Sequence, residues 1–429
     1  MSSGGYRMVF RAPGVAFLLT TSLVARLPVA MANLAIILRV AEATGSYARA
    51  GAVTGAYVVG TGVMGPVLGR LADRVGRRPV LLLAAVANAA GLISLAFIPV
   101  HETLLVLIVA AASGASLPPV APAVRSLWPG LVSGELRSSL YAFDATMQEA
   151  TFMVGPTLVA FLSTLSGPPA ALIACGAIGL GGTVALSLHP AISSPIAQMR
   201  ADGEGATSLG QARSAAGEAA ETASGERVEP PEAPNPPARP VALRRRFQPA
   251  GLPGLATLVG IVLVYLAAIL VVEVTVVAFA GRAHASDQAG VLLAVWATGS
   301  MTGGFVFGAR TAHAGTRVLA PVLAAAGLGF LCLAAAPGVG VLYGLLFLAG
   351  MSIAPGFSCI YGLVGQLAPS TGSVEAFSWV GSGIQMGAAG GAALGGVLVD
   401  TVGTRWSFVF AAGGAMTTAV IAWSRSRRL

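Results

Sequence analysis

The segment Gly69-Arg70-Leu71-Ala72-Asp73-Arg74-Val75-Gly76-Arg77-Arg78-Pro79 lies between two long apolar stretches. Four arginines and an aspartate fall inside it, in a chain of which only 10% is charged. Such a cluster cannot sit in hydrocarbon, where ionised groups are costly. It reads as a tight loop between two membrane helices, and the positive-inside rule places that loop in the cytoplasm.

Composition points to the same solvent. Mean hydropathy is +0.80 and 55% of the 429 residues are hydrophobic, more than a soluble core of this size needs. The net charge of +8 does not mark a nucleic-acid surface, because the basic residues fall in short clusters between apolar segments. All 25 basic residues are arginine, which with the abundant Ala and Gly hints at a GC-rich bacterial genome. Cys175, Cys332 and Cys359 are isolated in apolar surroundings and read as small buried residues, with neither metal nor disulfide spacing. Arg7 and Arg11 precede an apolar run that continues to about Leu38, too long for a signal peptide and suited to a first membrane helix.

A helix needs roughly 20 apolar residues to cross the hydrocarbon. Cutting at charges and at Gly/Pro punctuation predicts six spans near 14–38, 48–69, 79–100, 103–125, 139–164 and 169–188. Six more fall near 254–280, 288–309, 317–336, 339–364, 374–398 and 405–424. The loops sort by charge. One side collects Arg7 and Arg11, the Arg70–Arg78 cluster, Arg125 with Arg137, Arg244–Arg246, Arg310 with Arg317, and Arg425 to Arg428. The other has Arg39, Glu42 and Arg49, then His101 with Glu102, Arg282 with Asp287, and Asp400 with Arg405. Both termini are therefore expected in the cytoplasm of a bacterial inner-membrane protein.

Three domains follow: a bundle over 1–192, a linker over 193–250 and a bundle over 251–429. The linker is rich in Ser, Ala, Gly, Glu and Pro and ends in Arg244-Arg245-Arg246, so it is expected to be a disordered cytoplasmic tether. The two bundles resemble each other. Gly114-Ala-Ser-Leu-Pro-Pro119 is matched by Gly350-Met-Ser-Ile-Ala-Pro355 at an offset of 236. Ala50-Gly51 up to Gly69 matches Ala289-Gly290 up to Gly308 at 239, and Tyr141-Ala142-Phe143 matches Glu375-Ala376-Phe377 at 234. Ordered matches at nearly one offset indicate duplicated six-helix halves, a recurrent carrier design.

The spacing G-x-L-x-D-R-x-G-R-R resembles the loop 2–3 signature of the major facilitator superfamily, and the chain outside 193–250 is most similar to its bacterial twelve-helix drug/proton antiporters. The resemblance implies an all-α integral membrane fold of twelve helices in two pseudo-symmetric bundles. It also implies a cytoplasmic latch formed by Gly69, Asp73, Arg74, Gly76, Arg77 and Arg78, with partners at the ends of helices four, five and eleven, where Arg125 and Asp144 stand at the first two. Gly155-Pro156 looks like an abbreviated antiporter signature, with its leading glycines replaced by Gln148 and Phe152. The helix-four signature arginine is absent, Ala110 taking its place. Loop 8–9 keeps Gly308, Arg310 and Arg317 without an aspartate, so the second latch is degenerate.

Ionisable groups deep in the bilayer tend to face a cavity. Arg26 lies about halfway along helix one beside Pro28, Glu149 near the middle of helix five, and Glu273 in the outer part of helix seven. Two readings of Arg26 and Glu149 stand side by side: a proton-coupling pair replacing the missing helix-four arginine, or a static bridge between helices one and five. Glu273 reads as a cavity-facing proton or substrate site, or as a residue at the outer mouth. Asn33, Tyr57, Gln148, Trp296, Tyr361, Trp379 and Gln385 are weaker substrate-cavity candidates. Glu375 opens helix eleven, where a carboxylate complements the helix dipole. The glycines of helices eight and eleven suit close packing.

No catalytic constellation, metal site or phosphate-cradling loop can be assembled, so no enzyme and no cofactor is expected, the proton gradient serving as energy source. The expected function is export of a small amphipathic or hydrophobic organic compound by proton antiport, through alternating access, in a monomer surrounded by membrane lipid and without nucleic acid. A proton symporter or facilitator taking up a metabolite is the alternative, and a non-transporting membrane sensor a more distant one.

Overall fold

The computed structural model describes residues 15–131, 134–193, 253–283, 285, 288–310, 316–368 and 372–426. The expected tether at 193–250, apart from Ser193, and most of loop 8–9 lie outside the described residues. The first half contains α1 (Val15–Thr44), α2 (Tyr47–Val75), α3 (Arg77–Phe97), α4 (Thr103–Arg125), α5 (Gly134–Ser166) and α6 (Pro168–Ser187). The second contains α7 (Pro253–Arg282), α8 (Ala289–Arg310), α9 (Thr316–Leu333), α10 (Val339–Leu367), α11 (Ser373–Thr401) and α12 (Gly403–Ser424). Eleven of these are long and apolar enough to cross a membrane, and α9 is a slightly shorter apolar helix. The described residues contain no strand.

The charged segment is less of a loop than its sequence suggests. α2 continues through Gly69–Val75 and α3 begins at Arg77, so a single residue, Gly76, turns the corner. Its φ of 112° lies where L side chains rarely go, and its N–H donates to the Ala72 carbonyl at 3.1 Å. The arginines are thus carried on helix ends.

The repeated Gly-to-Pro motifs occupy matching places. Each interrupts a span: α4 breaks between Ala115 and Val120, and α10 breaks at Met351–Ser352. Gly114 lies so close to α2 that a Cβ would overlap the Tyr57 carbonyl, and one on Gly350 would overlap the Trp296 carbonyl of α8. Tyr57 and Trp296 are themselves separated by the repeat offset of 239. In a bilayer, lipid tails are as apolar as leucine, so helix association rests on such close approaches. Gly387 and Gly391 of α11 meet the backbone of α7 at Leu263 and Ala267 in the same manner.

Two apolar clusters organise the interior. One is confined to the first half and includes Met31, Ile36, Tyr57, Leu92 and Cys175. The other fills the second half and crosses into the first through Trp128, Leu140 and Tyr141, which join Val374 and Phe377. The halves are therefore welded at the end that carries the arginine cluster. Cys175 and Cys359 are buried as expected, whereas Cys332 is exposed on α9.

Candidate functional site

At the joined end, Asp73 of α2 reaches the amino terminus of α11 in the other half. Its two carboxylate oxygens accept from the backbone N–H groups of Val374 at 3.2 Å and Glu375 at 2.8 Å. The N-cap residue of α11 is Gly372, whose lack of a side chain leaves those donors to Asp73. A carboxylate there also meets the positive end of the helix dipole. Beside it, Arg70 turns its Nε–Nη2 edge onto Glu375 Oε1 at 3.0 and 2.5 Å. Gly69 permits the approach, since a Cβ there would overlap Ser378. Ser382 donates to the Gly62 carbonyl at 2.6 Å further along the same seam.

Arg77 is buried and electrostatically coupled to Asp73, while Arg74 and Arg78 are exposed. Arg70 does not belong to the expected latch set, yet it makes the inter-half ion pair. Arg70 lies inside the Gly69–Asp73 frame, directly after the glycine, but that position cannot reveal a partner 305 positions away.

Among the described residues, the contacts of the second seam, between α5 and α8, that the structure shows are neutral, where the sequence lacks its aspartate. Ser139 donates to the Gly308 carbonyl at 2.8 Å, and Phe143 meets Phe305 edge-on at 6.4 Å between ring centres. Arg317 is exposed.

Arg125 and Asp144, expected beside the arginine cluster, lie deeper and pair with each other. Asp144 accepts from Arg125 Nε at 2.5 Å and from Arg26 Nη1 at 2.6 Å. Arg26 therefore pairs with Asp144 and not with Glu149. The reason is register: Asp144 precedes Glu149 by five residues, about 7.5 Å of helix rise and a different face. All three groups are buried, with side chains exposed by 4% or less. Arg125 also lies 3.6 Å over the ring of Tyr361 from α10, and Gln148 accepts weakly from its Nη2 at 3.5 Å. A desolvated cation over a tyrosine ring contributes about 2 kcal/mol.

Glu149 faces elsewhere. It lies beside Ser300 of α8 and within electrostatic range of Glu273 of α7, a carboxylate of the other half. Tyr265 and Tyr361 also lie within its electrostatic range. They are linked through Phe357, whose ring centre is 5.8 Å from Tyr265 and 5.9 Å from Tyr361. Both glutamates are half-buried, and among the described residues neither forms an ion pair with an arginine. Ser300 and Tyr265 are members that sequence reasoning missed, because nothing in the flanking sequence distinguishes them from the other serines and tyrosines of the apolar helices.

Of the weaker candidates, Tyr57 and Trp296 belong to helix packing and are 1% and 3% exposed. Tyr361 and Gln148 join the arginine hub. Asn33, Trp379 and Gln385 are half-buried on α1 and α11 and are not brought together with the glutamates by any described contact.

The model of the Major Facilitator Superfamily matches residues 18–308. The chain belongs to the Major Facilitator Superfamily. This member of the superfamily is accordingly a multi-pass membrane transporter of some small-molecule substrate, not an enzyme. No curated protein matches it significantly in sequence. Among solved structures it resembles the human organic anion transporter TETRAN (18% identity, TM-score 0.66, 98% of this chain and 100% of that one). It also resembles a bacterial homologue of the iron transporter ferroportin (13%, 0.68, 96% and 99%). A third likeness is to the E. coli fucose:proton symporter (16%, 0.66, 97% and 99%). At these identities the likeness establishes the fold.

Proposed function

We propose that this transporter exports a small amphipathic or hydrophobic organic compound across a bacterial inner membrane in exchange for protons. The observation that carries the reading is that Glu149 and Glu273, on opposite halves, lie within electrostatic range of each other, Glu149 beside Ser300 and within range of Tyr265 and Tyr361, which are linked through Phe357. Repulsion between two carboxylates in a low-dielectric cleft is relieved by a proton. Because the two groups belong to different halves, rocking of the halves changes their separation and with it their hold on that proton. The flanking aromatic faces suit an apolar or amphipathic cargo.

With the arginine cluster in the cytoplasm, the bridged seams at Asp73–Glu375 and Ser139–Gly308 lie at the cytoplasmic end of the two halves. Everted membrane vesicles test the proposal. Addition of a transported compound to vesicles with a pre-formed pH gradient should collapse that gradient, and Glu149→Gln should abolish the effect. Proton entry that requires substrate on the same side would replace antiport with symport.

A further inference from the structure

The Arg26–Asp144–Arg125 hub is not electrically closed. Two guanidinium groups share one carboxylate, and among the described residues no second acid pairs with either. Arg26 is 3% exposed and uses only Nη1, on Asp144. Its Nε and Nη2 atoms are enclosed and have no hydrogen-bond partner. Those two atoms form one complete edge of the guanidinium, the edge that Arg70 presents to Glu375 in this same protein.

A second orphan lies on the same helix. Ser22 Oγ is enclosed and unpartnered, and Ser22 precedes Arg26 by four residues, one helical turn on the same face. Buried polar groups are normally satisfied, and an uncompensated buried charge is strongly unfavourable. A full bidentate donor edge, a hydroxyl one turn away and an excess positive charge together describe the missing group: it is monovalent, anionic and an acceptor only. Glu149 does not supply it: among the described residues Arg26 and Arg125 form ion pairs with Asp144 alone, and the Nε and Nη2 atoms of Arg26 have no partner.

We infer that the Nε–Nη2 edge of Arg26, with Ser22 beside it, is a buried anion site that takes a carboxylate or halide. The site balances the hub charge. Its occupant is either a free inorganic anion or the acid group of the cargo itself. Only the second source rests on the transport reading above, and it would make the cargo an amphipathic organic acid or zwitterion.

The test uses the purified full-length protein in detergent micelles, in a halide-free Tris–HEPES buffer, with sodium chloride or sodium benzoate titrated in. The wild-type protein should show a saturable rise in Tm, about 5 °C at a hundredfold excess over the half-point. Arg26→Gln should lose that rise, Arg26→Lys should keep part of it, and Arg39→Gln, at the far end of α1, should keep all of it. Arg26→Gln should fold, because Asp144 retains Arg125.

A chloride shift identifies a free inorganic anion. A benzoate shift without a chloride shift identifies the cargo's acid group. The absence of any saturable shift in wild type, or a shift unchanged in Arg26→Gln, overturns the site. These readings are of binding alone, so they stand or fall apart from the direction of transport.

Discussion

Asp144 holds Arg26 at 2.6 Å while its other oxygen holds Arg125 at 2.5 Å, so a single carboxylate on α5 ties α1 to the end of α4. Removing it leaves two buried cations facing each other. Asp144→Asn is expected to cost about 3–5 kcal/mol, the range for breaking a buried pair from one side. Thermal melting of the purified protein should show a large fall, and Arg26→Gln combined with Asp144→Asn should recover much of it. Equal melting of Asp144→Asn and wild type would mean that the hub carries no stability.

Asp73 caps α11 from the opposite half, so its removal should loosen the joined end without unfolding either bundle. An N-cap contributes about 1 kcal/mol, with a further fraction from the helix dipole. In a Cys332→Ser background, spin labels at Arg78 and Gln366 should report a larger long-distance population in Asp73→Asn than in the parent. An unchanged distance distribution would remove Asp73 from control of the closed end.

The two seams should respond unequally. Ser139→Ala deletes one neutral hydrogen bond, worth about 1 kcal/mol, whereas Asp73→Asn deletes a charge that meets two backbone donors and a helix terminus. The same spin-label pair should therefore shift less in Ser139→Ala. A larger shift would make the α5–α8 seam the principal closure.

The pseudo-symmetry of the breaks is testable through their glycines. Gly114→Val and Gly350→Val would each force a side chain into a backbone carbonyl, on Tyr57 and Trp296 respectively. Overpacking of this kind costs about 1–3 kcal/mol and more where backbone cannot yield. Both variants should lower Tm to a similar extent, while Gly390→Val, at a position with open space, should not.

Coupling can be assigned to individual carboxylates. Glu149→Gln and Glu273→Gln each leave one of the two acids, and each should abolish substrate-driven collapse of a pH gradient in everted vesicles. Gradient collapse that persists in Glu273→Gln would confine the proton to Glu149 and Ser300.

Much of the architecture was legible from residue order, because bilayer thickness imposes a length on every apolar run and charge clusters mark the ends. The spans, the internal repeat and the membrane class all follow from one-dimensional rules. Boundaries slipped where helices outrun the hydrocarbon: α2 continues to Val75 and α5 starts at Gly134, since polar helix ends outside the bilayer cost nothing there.

Partnership was not legible. The sequence presents Arg26 and Glu149 as two buried ions of opposite sign and leaves their distance unspecified. Only tertiary packing sets α5 so that Asp144 meets Arg26 and Arg125 while Glu149 turns to Ser300 and Glu273. In the same way Glu375 reads alone as a helix-terminal acid, and the fold gives it Arg70, 305 residues distant. Solvent rules act on each residue where it stands in the chain, so sequence by itself determined the membrane class, the two halves and the joined end's charge. Ion pairing depends on rotation and register between helices, and that only the folded bundle decided.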